Sequence, residues 1–184
     1  MIRAAITAVF FISFLGIAQD DQWVTKKSLE GEFSIAFPGT PKYSTEIVPT
    51  AKGDVTMDSF SYQGDSFSSD NFIYMLAFTK YPDSFFPNGL SDSGEIDTVL
   101  NNAVQGAVQN TKGVLISKDD ISFNGFYGKE AKIRINSTYI IKMRLFLVGL
   151  TLYSIQVIYD QKNDDNKASN YFFNSFELIK INKN

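Results

Sequence analysis

The chain of 184 residues contains no cysteine and no histidine. Without a thiol or an imidazole it cannot supply a Ser-His-Asp or Cys-His nucleophile, a disulfide, a histidine or cysteine haem ligand or a conventional zinc site. The adjacent carboxylates Asp119-Asp120 and Asp164-Asp165 lack the alternating ligands of a calcium loop, so both pairs are interpreted as solvated turns and no metal or cofactor is expected. Catalysis, if any, would have to use carboxylates, lysine, tyrosine or serine.

The first eighteen residues have the layout of a secretory signal peptide. Residues 1–3 form a short positive start, the run 4–18 is uncharged and apolar, and Gly16 and Ala18 are small residues before Gln19. The apolar run of 15 residues is shorter than the ~20 that span a bilayer. We therefore expect cleavage near Ala18/Gln19, a secreted or periplasmic location, and no integral membrane span after cleavage.

The rest of the chain, 19–184, is predicted to form one domain of strands and helices. An apolar stripe through 96–108 predicts a helix with Asp92 as its N-terminal cap and Gly113 as a left-handed C-terminal cap. A second helix is predicted over 165–175. Its packed face is expected to hold Ala168, Tyr171, Phe172 and Ser175. Strands are predicted at 33–37, 43–49, 54–62, 72–78, 114–123, 129–136, 140–148 and 151–159, with a short edge strand within 176–181.

The fold class follows from how these strands are connected and covered. Tight turns between consecutive strands require antiparallel pairing, and the segment 72–78 is apolar on both of its faces. A strand of that kind needs a covering layer above and below it. We therefore predict an α/β (α+β) fold, in which an antiparallel sheet lies between helices as an α/β/α sandwich.

Several short motifs resemble secreted bacterial domains of the PsbP-like superfamily. They are Trp23 with Gly-Glu-Phe-Ser-Ile-Ala-Phe-Pro-Gly-Thr-Pro at 31–41, Tyr81-Pro82, Gly-Phe-Tyr-Gly-Lys-Glu at 125–130, Gly-Leu-Thr-Leu-Tyr at 149–153 and Phe-Asn-Ser-Phe at 173–176. Together they span nearly all of the chain after the signal peptide. The resemblance implies the same sandwich fold, and it implies a non-enzymatic binding or accessory module because the superfamily offers no catalytic motif to carry over.

One group of charged residues is a candidate binding surface. Alternation places Glu130, Lys132 and Arg134 on one face of the strand 129–136, and Lys142 and Arg144 on one face of the next strand. An odd-numbered turn around Thr138 would put Arg134 opposite Lys142, and Lys132 opposite Arg144. Four cations on one patch would bind an anionic ligand or an acidic partner protein, or would be neutralised by Glu130 and aspartates of this chain. A solvated sheet face is the structural alternative.

A second candidate is the loop 81–89, which carries Phe85 and Phe86 between two prolines. The two rings could form an exposed recognition tip, the rim of an apolar pocket, or a plug at the end of the sandwich.

Three functions compete on this basis. The first is a secreted or periplasmic binding domain for an unknown protein or anionic ligand. The second is a carrier of a small, lipid-like apolar ligand, and the third is an enzyme that depends on carboxylates or lysine. Nucleic acid is not expected as a partner, because the formal charge is −3 and no long basic block is present. A monomer and a homodimer are both compatible with the sequence.

Overall fold

The computed structural model describes residues 23–65, 69–90 and 92–179, and the predicted signal peptide lies outside these ranges. The described residues form ten strands and two α-helices. In chain order these are β1 (Val24–Ser28), β2 (Phe33–Phe37), β3 (Lys42–Thr50), β4 (Gly53–Gln63), β5 (Asn71–Lys80), α1 (Ser93–Thr111), β6 (Val114–Phe123), β7 (Phe126–Ile135), β8 (Tyr139–Val148), β9 (Thr151–Asp160), α2 (Lys167–Asn174) and β10 (Glu177–Leu178). Neither helix is long and apolar enough to cross a membrane.

The strands form two antiparallel sheets rather than the single sheet predicted. Seven strands lie in the order β3-β4-β5-β9-β8-β7-β6, and a small sheet has the order β1-β2-β10. Helix α1 packs on one face of the large sheet over β7 and β8, whereas α2 packs between the other face and β2. The predicted α+β sandwich, an antiparallel sheet with a helix on each side, is therefore confirmed.

Each face of the large sheet has its own core. The core under α2 and the small sheet is mostly aromatic, while the core under α1 is aliphatic. Aromatic rings on the first side include Phe33, Phe37, Phe60, Tyr74, Phe78, Phe146, Tyr153, Tyr159, Phe172 and Phe176. The second side is built from Leu100, Val104, Ala131, Ile133, Ile141, Met143, Leu145 and Leu147.

Helix α1 begins as predicted and ends differently. The Asp92 carboxylate accepts hydrogen bonds from the backbone N–H groups of Gly94 and Glu95, which is the capping geometry that the sequence indicates. At the other end Lys112, not Gly113, has the left-handed conformation, with φ +51°. Gly113 is needed for space instead, because a Cβ there would lie 2.5 Å from the Cγ2 atom of Ile133.

Helix α2 starts at a pair of asparagines. Asn166 caps the helix by accepting from the Ser169 N–H, and its side-chain amide exchanges two hydrogen bonds of 2.7 and 2.9 Å with the fully buried Asn71 of β5. The prediction for its packed face was wrong at one position, since Tyr171 is half exposed while Phe173 is buried. The helix is shorter than predicted and packs through Phe172 and Phe173.

Candidate binding surface

The turn between β7 and β8 determines which of the candidate cations face each other. It consists of Asn136, Ser137 and Thr138, of which the first two have positive φ, and it pairs Ile135 with Tyr139. The predicted pairing was wrong by two residues, because the turn is centred on residue 137 rather than on 138. Lys132 therefore lies opposite Lys142, Glu130 opposite Arg144, and Arg134 opposite Ile140.

The predicted face is nevertheless correct, and the four candidate cations share the side of the sheet that α2 covers. A shift by two residues moves every side chain along the strand but keeps it on the same face. In the observed register a carboxylate comes into the patch, since Glu130 stands directly across from Arg144. The Arg144 Nε donates to the Glu130 Oε2 at 2.7 Å.

Lys142 lies in the interior of this patch with only 5% of its surface exposed. Its Nζ donates to the Asp165 Oδ1 at 2.7 Å and lies 3.6 Å from the Glu130 Oε1. Next to it the Arg144 guanidinium stacks over the Phe173 ring at 4.8 Å and donates to the Asn174 side chain. These contacts bind the segment 164–174 to the sheet, so Lys142 and Arg144 act first as structural links.

Lys132 is paired with the other aspartate of the same segment. Its Nζ contacts both Asp164 carboxylate oxygens at 2.8 and 2.9 Å and lies 3.5 Å from Asp165. Burial is the largest single influence and opposes the charge on Lys132, but the hydrogen bonds and negative charges of Asp164 and Asp165 together outweigh it and raise the lysine pKa. The Lys142 hydrogen bond lowers the pKa of Asp165. Asp164 and Asp165 lie in an exposed turn, as predicted, but both carboxylates also pair with sheet lysines.

Tyr159 of β9 completes this network from the aromatic core. Its hydroxyl donates to the Asp164 Oδ1 at 2.5 Å, and burial together with that bond raises the tyrosine pKa. The shifts at Tyr159, Lys132 and Asp165 all move away from neutral pH. At neutral pH Tyr159 therefore stays neutral, Lys132 stays positive and Asp165 stays negative, so the ion pairs of the network persist.

Arg134 differs from the other three cations. It has no ion-pair partner among the described residues, whereas Lys132, Lys142 and Arg144 each have at least one. Its neighbour on the edge strand β6 is Val114, which is exposed, and Ile116, two residues further along in the interruption of the β6–β7 pairing, is exposed as well. The structure thus leaves one unpaired guanidinium beside two exposed aliphatic side chains at this corner of the large sheet.

The sequence analysis missed a second ionic cluster, on the opposite face of β7. Lys129 is also 5% exposed, and its Nζ lies 2.6 Å from an Asp97 carboxylate oxygen on α1 and 2.5 Å from one of Asp120 on β6. The Tyr127 hydroxyl accepts a further bond from it. Burial disfavours the charge of Lys129, yet these bonds raise its pKa. The sequence did contain a sign of this cluster, because alternation puts Lys129 on the same face as the apolar Ala131 and Ile133. A lysine buried on an apolar face needs a carboxylate to neutralise its charge.

The Phe loop lies against the turn between β3 and β4. Phe86 is buried next to Tyr81, and the Lys52 ammonium lies 3.8 Å above its ring. Phe85 is half-buried and reaches Gly53, where its ring would be 3.2 Å from an added Cβ. Of the three interpretations of this loop, the buried Phe86 corresponds to the third, in which a ring plugs the end of the sandwich.

Two surface cavities among the described residues lie elsewhere. One of about 290 Å³ is lined by residues of β1, β2 and α2, including Thr25, Ser34 and Asn174, and one of about 590 Å³ borders Tyr62 and Gly64. Neither is lined by Phe85 or Phe86. Within the described ranges no three acidic side chains converge as a metal site would require.

Comparison with known proteins adds one finding about the architecture. No protein-family model matches the chain, and no curated protein sequence matches it. The solution structure of cyanobacterial PsbP (CyanoP) from Synechocystis sp. PCC 6803 is similar, with a TM-score of 0.56 over 91% of this chain and 98% of that one, at 12% identity. The chain has a PsbP-like fold. At this identity the similarity concerns the fold alone and assigns no site residue, because one fold carries many different sites.

Proposed function

We propose that the protein is a secreted or periplasmic binding module without catalytic activity, and that it binds an acidic partner protein at the sheet corner formed by Arg134, Val114 and Ile116. The observation that carries this proposal is the unpaired Arg134 beside two exposed aliphatic side chains. Arginine is enriched at protein–protein interfaces because its planar guanidinium binds carboxylates in two places and its stem packs on apolar surface.

The surrounding patch supports the same function. Lys132, Lys142 and Arg144 are held by carboxylates of this chain, so they keep the surface rigid and leave Arg134 as the cation available to a partner. A rigid surface loses little conformational entropy on binding. The signal-peptide pattern at 1–18 supports an extracytoplasmic location.

Crosslinking inside the producing cells tests this proposal. Val114 is replaced by the photoreactive residue p-benzoylphenylalanine, and the same residue placed at the exposed Lys162 is the control. We expect a discrete protein adduct from position 114 that disappears with Arg134→Glu, and no such adduct from position 162. Absence of an adduct at 114, or an adduct that persists with Arg134→Glu, would overturn the proposal.

A further inference from the structure

The two edges of the large sheet are protected to different degrees. On β6 the pairing with β7 is interrupted between Leu115 and Ser117, and the charged run Lys118-Asp119-Asp120 follows. Bulges and charges of this kind discourage pairing with another strand. On β3 the pairing with β4 continues without interruption from Lys42 to Thr50. The β3 edge also exposes Tyr43 and Ile47, at 57% and 66% of their surface.

The backbone groups that β3 turns outward can be assigned from two observations. Pro49 has no N–H and lies within the strand, opposite Asp54, so its nitrogen must point away from β4. The Ser44 carbonyl accepts from the Ser59 hydroxyl of β4 at 3.5 Å, so the even-numbered residue points toward β4. Because these directions alternate along a strand, the odd-numbered residues Tyr43, Thr45 and Ile47 present free N–H and C=O groups at the edge.

The sequence of β3 is complementary to itself when it is reversed about Thr45. In an antiparallel pair with that centre, Thr45 faces Thr45 of the second copy, and Tyr43 faces Ile47 of the second copy on each side of the axis. These are the outward-pointing positions, so each facing pair exchanges two backbone hydrogen bonds. We propose that two copies of this chain associate by pairing β3 with β3, which would extend the seven-stranded sheet across a two-fold axis.

Side chains on both faces of the strand support this register. On one face the exposed aromatic and β-branched residues of the two copies become cross-strand neighbours, a favourable combination in sheets. The Tyr43 ring is already held in place, since its hydroxyl donates to Asp58 at 2.6 Å. On the other face Lys42 lies diagonally from Glu46 of the second copy, within reach of an ion pair. The charge pattern and the apolar pattern thus select the same centre.

The length of the paired segment is limited by prolines. Pro41 and Pro49 flank the seven residues 42–48, and in the proposed register each proline lies opposite the other. A single strand edge of this length buries less area than the ~1,200 Å² of a typical stable complex. The proposed dimer is therefore expected to dissociate on dilution.

Sedimentation velocity on the protein purified from its own host tests the proposal over a range of concentrations. We expect conversion from monomer to dimer as concentration rises. Ile47→Lys should raise the dissociation constant roughly tenfold or more by removing both Tyr43–Ile47 contacts. Leu29→Lys changes an exposed leucine of the turn between β1 and β2, outside both proposed binding surfaces, and should leave that constant unchanged. A monomer at every concentration, or equal effects of the two variants, would overturn the proposal.

Thr45→Pro provides a second variant that preserves the fold by design. The Thr45 N–H points outward, so proline there removes no hydrogen bond to β4, as at Pro49. This variant should remain monomeric with an unchanged circular dichroism spectrum. Hydrogen exchange in the wild type gives an independent readout, because the amides of Tyr43, Thr45 and Ile47 should become protected only at high concentration. A dimer that tolerates Thr45→Pro, or that leaves these amides unprotected, would show that another surface is used.

Discussion

The two faces of the large sheet are covered in different ways, and their cores differ accordingly. One face is covered by the single long helix α1, which packs through Leu100 and Val104 against aliphatic strand residues. The other face is covered by a three-stranded sheet and the eight-residue helix α2. Here Phe33 of the small sheet reaches four aromatic rings of the surrounding elements at centroid distances of 5.6–6.3 Å. The small sheet and the short helix α2 thus contact the large sheet through large aromatic side chains.

Both faces also hold a lysine that is almost completely buried. Lys129 under α1 is bound by carboxylates of α1 and β6, and Lys142 under α2 is bound by carboxylates of β7 and the segment before α2. In each case the ammonium comes from the sheet, and one carboxylate comes from the helical layer. A buried cation therefore fixes each covering layer at one point, whatever the surrounding core is made of.

The largest expected effect comes from truncating the centre of the aromatic core. Phe33→Ala should lower the free energy of unfolding by roughly 3–5 kcal/mol, because it removes a fully buried ring and leaves a cavity. It should also reduce hydrogen-exchange protection in β1 and β10, which pair with β2. Leu100→Ala is the matched change in the other core and should destabilise the protein without selective loss in those strands. Equal protection patterns in the two variants would contradict the distinction between the covers.

The next largest effect is a difference in melting temperature between removing the carboxylates of the Lys129 cluster and removing the lysine itself. Changing both Asp97 and Asp120 to alanine leaves the buried ammonium without a carboxylate partner, and the melting temperature should fall by roughly 10 °C. Lys129→Met removes the buried charge instead and leaves two carboxylates that reach solvent, so its melting temperature should fall by less than half as much. Calorimetry compares the two variants. A larger loss for Lys129→Met would mean that packing of the lysine stem, not charge, dominates here.

A pH effect is expected on the α2 side from Asp164 and Asp165. Burial acts to raise the pKa of Asp164, but the bonds from Lys132 and Tyr159 outweigh it and hold that pKa below the ordinary 3.8. The hydrogen bond from Lys142 lowers the pKa of Asp165 in the same way. Their stabilisation is therefore complete above the unfolded pKa and is lost as the pH falls through the lowered values. The double variant Asp164→Asn with Asp165→Asn should lose less melting temperature than the wild type between neutral pH and pH ~3. Parallel pH profiles would contradict this assignment.

The smallest effect tests the cation–π contact on the same side. Arg144→Lys keeps the charge but loses the planar contact with Phe173 and the Nε bond to Glu130, at an expected cost of about 0.5–1.5 kcal/mol in urea denaturation. Arg134→Lys is the control, because Arg134 has no ion-pair partner in the described part of the chain, and it should change the stability by less than ~0.5 kcal/mol. A loss at position 134 as large as at 144 would refute the assigned contacts.

Local patterns predicted most of the fold. Alternation and turn residues gave β6, β7, β8 and β9 to within about three residues, and the Asp92 cap was predicted from its spacing to Glu95. The small sheet was not predicted, because β1 was missed although it pairs locally with β2, and because β10 pairs with β2 from more than 130 positions later in the chain. Alternation says which face a residue occupies, but not which distant strand lies beside it.

The candidate site shows the same limit on a smaller scale. Turns centred on residue 137 or on residue 138 both keep Lys132 and Lys142 on one face, so the alternation could not distinguish the two registers. Their partners Asp164 and Asp165 lie more than twenty residues further on, in a segment whose composition is typical of an exposed turn. The identity of the face was therefore predictable, whereas its neutralisation depends on tertiary structure.

The reciprocal amide pair between Asn71 and Asn166 has a consequence for how α2 is positioned. A helix of eight residues is too short to be stable alone, so its starting point must be set by the rest of the protein. Within the pair each amide donates one hydrogen bond and accepts one, and this reciprocal match fixes where α2 begins along β5. An aspartate at either position would replace one Nδ2 donor by an oxygen, which would then face the Oδ1 acceptor of the other residue. The pair therefore determines where the helix begins. It does so through the directions of its two hydrogen bonds rather than through their strength.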